Sequence, residues 1–172
     1  QTRVILSFDG ANNSTTITNT GNTTYGYTGD WTVGGDAHIS TGQSKFGGSS
    51  LLLDGTDDSV YAFANDAFAI DAEEDACLEF WLRLASDNTG GGGANRSLVG
   101  FNNRANGAWG DIGYTCWLET HSGTNNVIDM AIGGGPNSES HSASTNQSDL
   151  WNSGSPAWNH VAMVRSGSTG SS

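Results

Sequence analysis

The residues of this chain that could do chemistry are carboxylates beside glycines. Asp54, Asp57 and Asp58 lie in the string DGTDD, and Asp9 lies in FDG. Calcium takes roughly six to eight oxygen ligands from carboxylates, amides and backbone carbonyls, so these four residues are candidate ligands. Because the chain has no contiguous calcium loop of the EF-hand kind, such a site must be assembled from distant segments. The alternative is ordinary turn chemistry, in which an Asp beside a Gly bonds its own backbone.

Tryptophans near amides form a second set of candidates. A sugar packs its C–H face on an aromatic ring, while amides and carboxylates bind its hydroxyls. The candidate glycan-binding residues in or near loops are Trp31, Trp109, Trp151, Asn102, Asn103 and Asp111. The alternative for each of these tryptophans is packing under a loop. We assign the other tryptophans, Trp81, Trp117 and Trp158, to the sheets, because they lie within predicted strands.

Composition predicts one all-β domain rich in turns. The 172 residues include 25 glycines and only two prolines, and no stretch keeps helical apolar spacing for long. The formal net charge is −12 and the six Lys and Arg residues are scattered, which argues against nucleic acid as a partner. No apolar run approaches the ~20 residues that cross a bilayer, so we expect no membrane insertion.

Alternating apolar residues predict a series of short strands. The strongest is 76–84, where Ala76, Leu78 and Phe80 alternate with Cys77 and Glu79. We predict the others at 3–8, 37–40, 50–54, 59–63, 97–101, 112–119, 127–132 and 158–165. Residues 9–36 and 133–152 are predicted to be long polar connections. Cys77 and Cys116 lie within predicted strands, as half-buried thiols or as a cross-strand disulfide.

Three strings carry a resemblance to a known family: TGQSKFGGSSLLLDGTDDSVYAF at 41–63, DACLEFWLRL at 75–84 and AWNHVAMVRSG at 157–167. In order and spacing they resemble the signature segments of laminin-G-like modules of the concanavalin A-like lectin/glucanase superfamily. The start, VILSFDGANNSTTITNT at 4–20, resembles modules of bacteriophage and marine bacterial surface proteins. The resemblance implies a two-sheet antiparallel jelly-roll sandwich over residues 1–165, followed by a Gly/Ser-rich tail or linker at 166–172.

The resemblance also implies a function. We expect a non-catalytic structural or adhesion module of a virion or surface fibre, phage-derived and extracellular, that binds glycans and holds a structural Ca2+. The alternative is a carbohydrate-binding lectin domain of a secreted bacterial protein. A further alternative is a glycoside hydrolase, but Glu73, Asp75 and Glu79 depart from the Glu-x-Asp-x-Glu motif of the hydrolases in that superfamily. We therefore expect no enzymatic activity.

The last predicted strand suggests a partner. Modules of the resembled family continue after WNHVA into further strands, and these are not found before Ser172. An unpaired strand edge invites association with another chain. We therefore expect the edge at 158–165 to be covered by another virion or fibre subunit, in a homo-oligomer, or by sequence beyond Ser172.

Overall fold

The computed structural model describes residues 2–21, 24, 26–63, 68, 74–85, 95–102, 112–121, 125–132, 139–144 and 155–166. For residues 95–97, and for the described residues from 101 to 144, it describes the backbone and not the side chains. The chain divides into two compact units, residues 1–69 and 70–172. Strands are the main regular secondary structure in the described part of both units, and all strand pairs are antiparallel. The described residues therefore agree with the prediction of an all-β chain. No helix in the described part is long and apolar enough to cross a membrane.

The first unit holds two short strand pairs. Strand β1 (Thr32–Gly34) pairs with β4 (Ser59–Tyr61), and β2 (His38–Ser40) pairs with β3 (Ser50–Leu52). Ile39 of β2 is fully buried, and its backbone bonds that of Asn13 and Ser14 at 2.8 Å. The N-terminal segment is thereby attached to β2. The other buried apolar residues of this unit are Ile17, Tyr27 and Ala37.

The second unit holds a strand pair and a four-stranded sheet. Strand β5 (Ala76–Leu82) pairs along its whole length with β10 (Asn159–Arg165). The larger sheet has the order β6-β7-β8-β9. Its strands are β6 (Asn95–Asn102), β7 (Ile112–His121), β8 (Asn125–Ile132) and β9 (Glu139–Ser144).

The β5–β10 pair has one buried and one exposed side. Val161 of β10 is 6% exposed and packs with Phe80, Leu82, Leu84, Leu98 and Val99. Leu98 and Val99 belong to β6, so β6 shares this core with the β5–β10 pair. On the other side, which we call the outer face, the exposed residues are Cys77, Glu79, Trp81, His160, Ala162 and Val164. This alternation confirms the two-residue period predicted for β5.

Three segments differ from the predicted strand pattern. The predicted opening strand is reduced to a single bridge between Leu6 and Asn19, because the Asn19 side chain accepts the Ile5 N–H at 2.8 Å and Phe8 has φ +54°. Strand β1 was predicted to be part of a polar connection. Strand β9 lies in the predicted loop 133–152. Its sequence, ESHSAS, has few residues that favour strands. The segment is therefore a strand because it pairs with β8, and not because of its intrinsic strand propensity.

Cys77 is a free, exposed thiol on the outer face, so the expectation of a half-buried thiol was wrong for this residue. Position 77 is one of the alternating residues of β5 that point away from the core. The Cys116 side chain lies outside the described residues, as does the predicted tail beyond Ser166.

Candidate functional site

Strand pairing brings two turns together in the first unit. Gly34 at the end of β1 lies opposite Ser59 of β4, and His38 of β2 lies opposite Leu52 of β3. The β1–β2 and β3–β4 connections therefore meet at one end of the two strand pairs. Three carboxylates converge there, with ligand atoms all within 4.8 Å of one another: Asp36, Asp54 and Asp58. We call this the acidic cluster.

Hydrogen bonds to Asp58 hold the two turns together. Its Oδ1 accepts the backbone N–H of Asp36 at 2.9 Å, and its Oδ2 accepts that of Asp54 at 2.6 Å. Asp54 in turn accepts the Thr56 N–H through Oδ1 at 2.7 Å. The bond from Thr56 to Asp54 is the turn chemistry expected of Asp beside Gly, whereas the bonds to Asp58 join separate segments. Each carboxylate oxygen has two lone pairs, so these oxygens keep acceptor capacity for a further donor or a cation.

The pKa values of Asp36 and Asp58 are shifted in opposite directions. The backbone N–H of Asp54 lowers the pKa of Asp58 below its ordinary value, against partial burial, which raises it. A hydrogen bond with the Asp58 side chain raises the pKa of Asp36, and the negative charges of Asp54 and Asp58 raise it further. Donated N–H groups stabilise the charged form of Asp58, whereas neighbouring negative charges disfavour the charged form of Asp36. A cation bound among them would relieve the same repulsion.

Two residues with left-handed backbone conformation shape these turns. Gly35 has φ +67°, and a Cβ at this position would lie 2.5 Å from Asp58 Oδ1 and 2.7 Å from the Asp57 carbonyl oxygen. Asp57 itself has φ +58°. Only glycine allows the chain to approach Asp58 this closely, so Gly35 is required for the geometry of the cluster.

The acidic cluster overlaps only in part with the predicted metal ligands. Asp54 and Asp58 belong to it. Asp57 is in the same turn but outside the cluster, and the Asp9 carboxylate lies instead against the Cα of Gly47. Asp36 was missed, because its approach to DGTDD depends on the pairing of β1 with β4. The signal that could have found it was the GGD turn before the predicted strand at 37–40.

The outer face of the second unit presents an aromatic pair and a carboxylate. Trp81 lies opposite His160 in the β5–β10 register, and their rings stack with centroids 4.9 Å apart and an interplanar angle of 29°. His160 Nε2 lies 3.3 Å from Glu79 Oε2. Trp81 is 38% exposed, although the sequence assigned it to the packed sheets. His160 lies on the exposed side of β10.

Trp31, a predicted glycan-binding residue, packs inside the first unit. Its ring lies edge-on to Tyr27 at 5.6 Å and to Phe68 at 6.2 Å. Its buried Nε1 has no hydrogen-bond partner within the described part of the chain. This environment fits the packing alternative for Trp31.

For the other predicted glycan-binding residues, the structure describes no side chains. Asn102 ends β6, where its backbone pairs with that of Ile112. The candidates that lie outside the described residues are Asn103, Trp109, Asp111 and Trp151. Glu73, of the carboxylate string, also lies outside them.

Comparison with protein-family models, with curated proteins and with solved structures finds no match to this chain.

Proposed function

We propose that this chain is a non-catalytic adhesion or structural module of a virion or surface fibre, extracellular and of bacteriophage origin. The laminin-G-like strings of the sequence support this origin, and with it a concanavalin A-like jelly-roll arrangement of the strands. The structural observation that carries the proposal is the outer face of β5–β10. A sheet that buries one side in a core and exposes large apolar side chains on the other is suited to contact with a partner or ligand.

Two large apolar side chains of the outer face are exposed to solvent. Val164 is 72% exposed and Trp81 is 38% exposed, although Val161 and Phe80, on the same strands, are in the core cluster. Val164 is therefore not part of the core cluster. On this proposal, Val164 and Trp81 are exposed because they contact another molecule.

The positions of the carboxylates support a non-catalytic role. Glycoside hydrolases place two carboxyl groups about 5–5.5 Å apart when they retain configuration and about 6.5–9.5 Å apart when they invert it. Asp75 and Glu79 are four residues apart, as are the two glutamates of the Glu-x-Asp-x-Glu motif. The residue midway between them is Cys77, where the motif has an Asp, and this departure supports the non-catalytic role.

A structural Ca2+ at the acidic cluster belongs to the same proposal. Three carboxylates from two turns, with lone pairs to spare, match the oxygen ligands that Ca2+ prefers. The ion would join the β1–β2 turn to the β3–β4 turn, where Asp58 already bonds both. Its role would be to stabilise the turns, since the outer face belongs to the other unit.

The second candidate is a carbohydrate-binding lectin domain of a secreted bacterial protein. The stacked Trp81–His160 pair with Glu79 beside it favours this candidate, because such groups are the ones that bind sugars. Both candidates use the outer face for binding. They differ in the larger assembly. In the first candidate, neighbouring virion or fibre subunits, or copies of this chain in a homo-oligomer, pack against the module. In the second, the module is a domain of a secreted bacterial protein.

One experiment tests the proposed function. The purified chain is applied to an array of bacterial and marine polysaccharides, and the same preparation is measured by light scattering and by a reducing-end assay. Binding or self-association without release of reducing ends is the expected result. Release of reducing ends that disappears in Glu79→Gln would overturn the proposal, and so would a monomer that binds no polysaccharide.

A further inference from the structure

The first unit contains two exposed Asp–Gly dipeptides, Asp9–Gly10 and Asp54–Gly55. In such a dipeptide the glycine nitrogen can attack the side-chain carboxyl carbon of the aspartate and close a five-membered succinimide ring. Glycine favours this reaction because it has no side chain to shield the nitrogen and allows a wide range of backbone angles. The same reaction is therefore available at two places in one chain, and the surroundings of each dipeptide decide where it occurs.

At Asp54–Gly55 the attacking nitrogen is accessible. Gly55 is exposed and has φ +89°, and within the described part of the chain its N–H has no hydrogen-bond acceptor. The nitrogen must lose its proton to attack, and amide protons that are exposed and not hydrogen-bonded exchange fastest with water. Gly55 therefore presents the reacting nitrogen to solvent.

The Asp54 side chain is folded towards that nitrogen. Its Oδ1 accepts the Thr56 N–H at 2.7 Å, so the carboxyl group reaches forward past the Gly55 nitrogen to the next one. An aspartate that bonds the backbone two residues on forms an Asx turn, which keeps its carboxyl carbon beside the intervening peptide group. The donated N–H also withdraws electron density from the carboxyl carbon, which favours attack on it. The turn thus holds the two reacting atoms near each other.

Asp9–Gly10 has the opposite arrangement. The Gly10 N–H donates to Ser49 Oγ at 3.0 Å, and Ser49 is only 5% exposed, so the nitrogen is held in a protected hydrogen bond. The same Oγ donates to the Phe8 carbonyl oxygen at 3.0 Å. The Asp9 carboxylate lies against the Cα of Gly47, in a distant segment of the chain. Both reacting groups of this dipeptide are therefore engaged in other contacts.

We propose that Asp54–Gly55 is a site of self-modification, where the folded chain converts aspartate to isoaspartate, and that the structure protects Asp9–Gly10. The Gly55 nitrogen forms a bond to the Cγ of the neutral Asp54 carboxyl group, and the carboxyl OH leaves with the amide proton as water. Water then adds to the ring at the Asp54 main-chain carbonyl carbon, whose bond to the nitrogen breaks. The main chain now runs through Cβ, the mass is unchanged, and only water has taken part.

Isoaspartate at position 54 changes the turns around the acidic cluster. Its main chain is longer by one methylene group, and its free carboxylate is attached directly to Cα. The residue then cannot keep the native bond from its N–H to Asp58 Oδ2 together with that from Thr56 to its carboxylate. The reaction therefore loosens the junction of the two turns as the protein ages. This inference goes beyond the proposed function, because it concerns chemistry within the chain itself.

Peptide mapping of the folded chain after several weeks at neutral pH tests the proposal. Trypsin cleaves after Lys45, so the two dipeptides fall in separate peptides, 4–45 and 46–83. Isoaspartyl forms separate by chromatography at unchanged mass, and electron-transfer fragmentation identifies the modified position. Isoaspartate should accumulate at least about tenfold faster at position 54 than at position 9, because the Gly10 amide is protected by its hydrogen bond.

The control is the same chain unfolded in urea, in which both dipeptides lose their native contacts and should react at similar rates. Asp54→Glu would need a six-membered ring, so it should abolish the product at position 54 and leave position 9 unchanged. Ser49→Ala frees the Gly10 N–H and should raise isoaspartate at position 9, with thermal melting to show that the variant is folded.

Three results would overturn the inference: equal rates at the two positions of the folded chain, a faster reaction at position 9, or no isoaspartate at position 54. None of them depends on binding of polysaccharide or on self-association. The proposed function is therefore tested separately.

Discussion

Trp81 and His160 stack across the β5–β10 pair, with ring centroids 4.9 Å apart, on the side of the sheet that faces away from the core. The pairing register sets this contact, so it does not depend on the conformation of a loop. The same register places Val161 and Phe80 opposite each other on the core side. One strand pair therefore has a core side and an exposed side.

The two sides of β10 should respond differently to the same substitution. Val161→Ala removes a buried side chain from the core cluster and should lower the free energy of unfolding by about 1.5–3 kcal/mol. Val164→Ala, three residues further on and exposed, should change it by less than about 0.5 kcal/mol. Urea denaturation of both variants measures this. Equal losses would contradict the division of the strand into a core side and an outer face.

Calcium should stabilise the first unit through the acidic cluster. Saturating Ca2+ should raise Tm by roughly 3 °C or more, because it binds the folded chain alone. Asp54→Asn should reduce that increase, since it removes one negative charge and keeps the acceptor that bonds Thr56. Asp57→Asn, in the same turn but outside the cluster, is the control and should behave like the unaltered chain. Melting curves in which Ca2+ has no effect would contradict the calcium proposal.

The raised pKa of Asp36 gives the first unit a dependence on pH. Protons bind Asp36 more tightly in the folded chain, so its contribution to stability is fully present below the ordinary pKa of 3.8 and is lost as pH rises through the raised pKa. The pKa of Asp58 is lowered, so its contribution to stability is present above 3.8 and is lost as pH falls through the lowered pKa. In calcium-free buffer, the Tm of Asp36→Asn relative to the unaltered chain should therefore increase as pH rises above 3.8. A difference independent of pH would contradict this account.

Gly35 should be much less tolerant of substitution than Gly48. Both have positive φ, so alanine at either position adds backbone strain of about 1–2 kcal/mol. At Gly35 the new Cβ also meets Asp58 Oδ1 and the Asp57 carbonyl, whereas nothing lies within 4 Å at Gly48. Gly35→Ala should therefore destabilise the chain more than Gly48→Ala, and it should also weaken the response to Ca2+. Equal unfolding free energies would show that the two turns are not packed closely at Gly35.

Most strands could be predicted from the sequence because they carry a strong local pattern. The alternation predicted the start of β5 and its two sides, and placed its end at Leu84, two residues beyond the observed end at Leu82. The glycine-bounded strings around β3 and β4 predicted those strands to within two residues at each end. In these segments, side-chain periodicity and turn residues agree with the final pairing.

The features that the sequence did not predict depend on pairing between distant segments. Asp36 reaches Asp58 only because β1 pairs with β4, and β1 itself is too short to show a pattern. The stacking of Trp81 on His160 depends on the register between strands almost eighty residues apart. Local propensity contains no information on such a register, so the pair could not be predicted.

The measurement that tests the central claim most directly is a map of glycan binding on the backbone amides by two-dimensional NMR. A polysaccharide fragment that binds the chain should shift the amide signals of residues 77–81 and 160–164 together with the Trp81 indole N–H. The signals of Asp36, Asp54 and Asp58 should not move. Shifts that spare the outer face and fall elsewhere in the chain would contradict the claim that β5–β10 carries the binding surface.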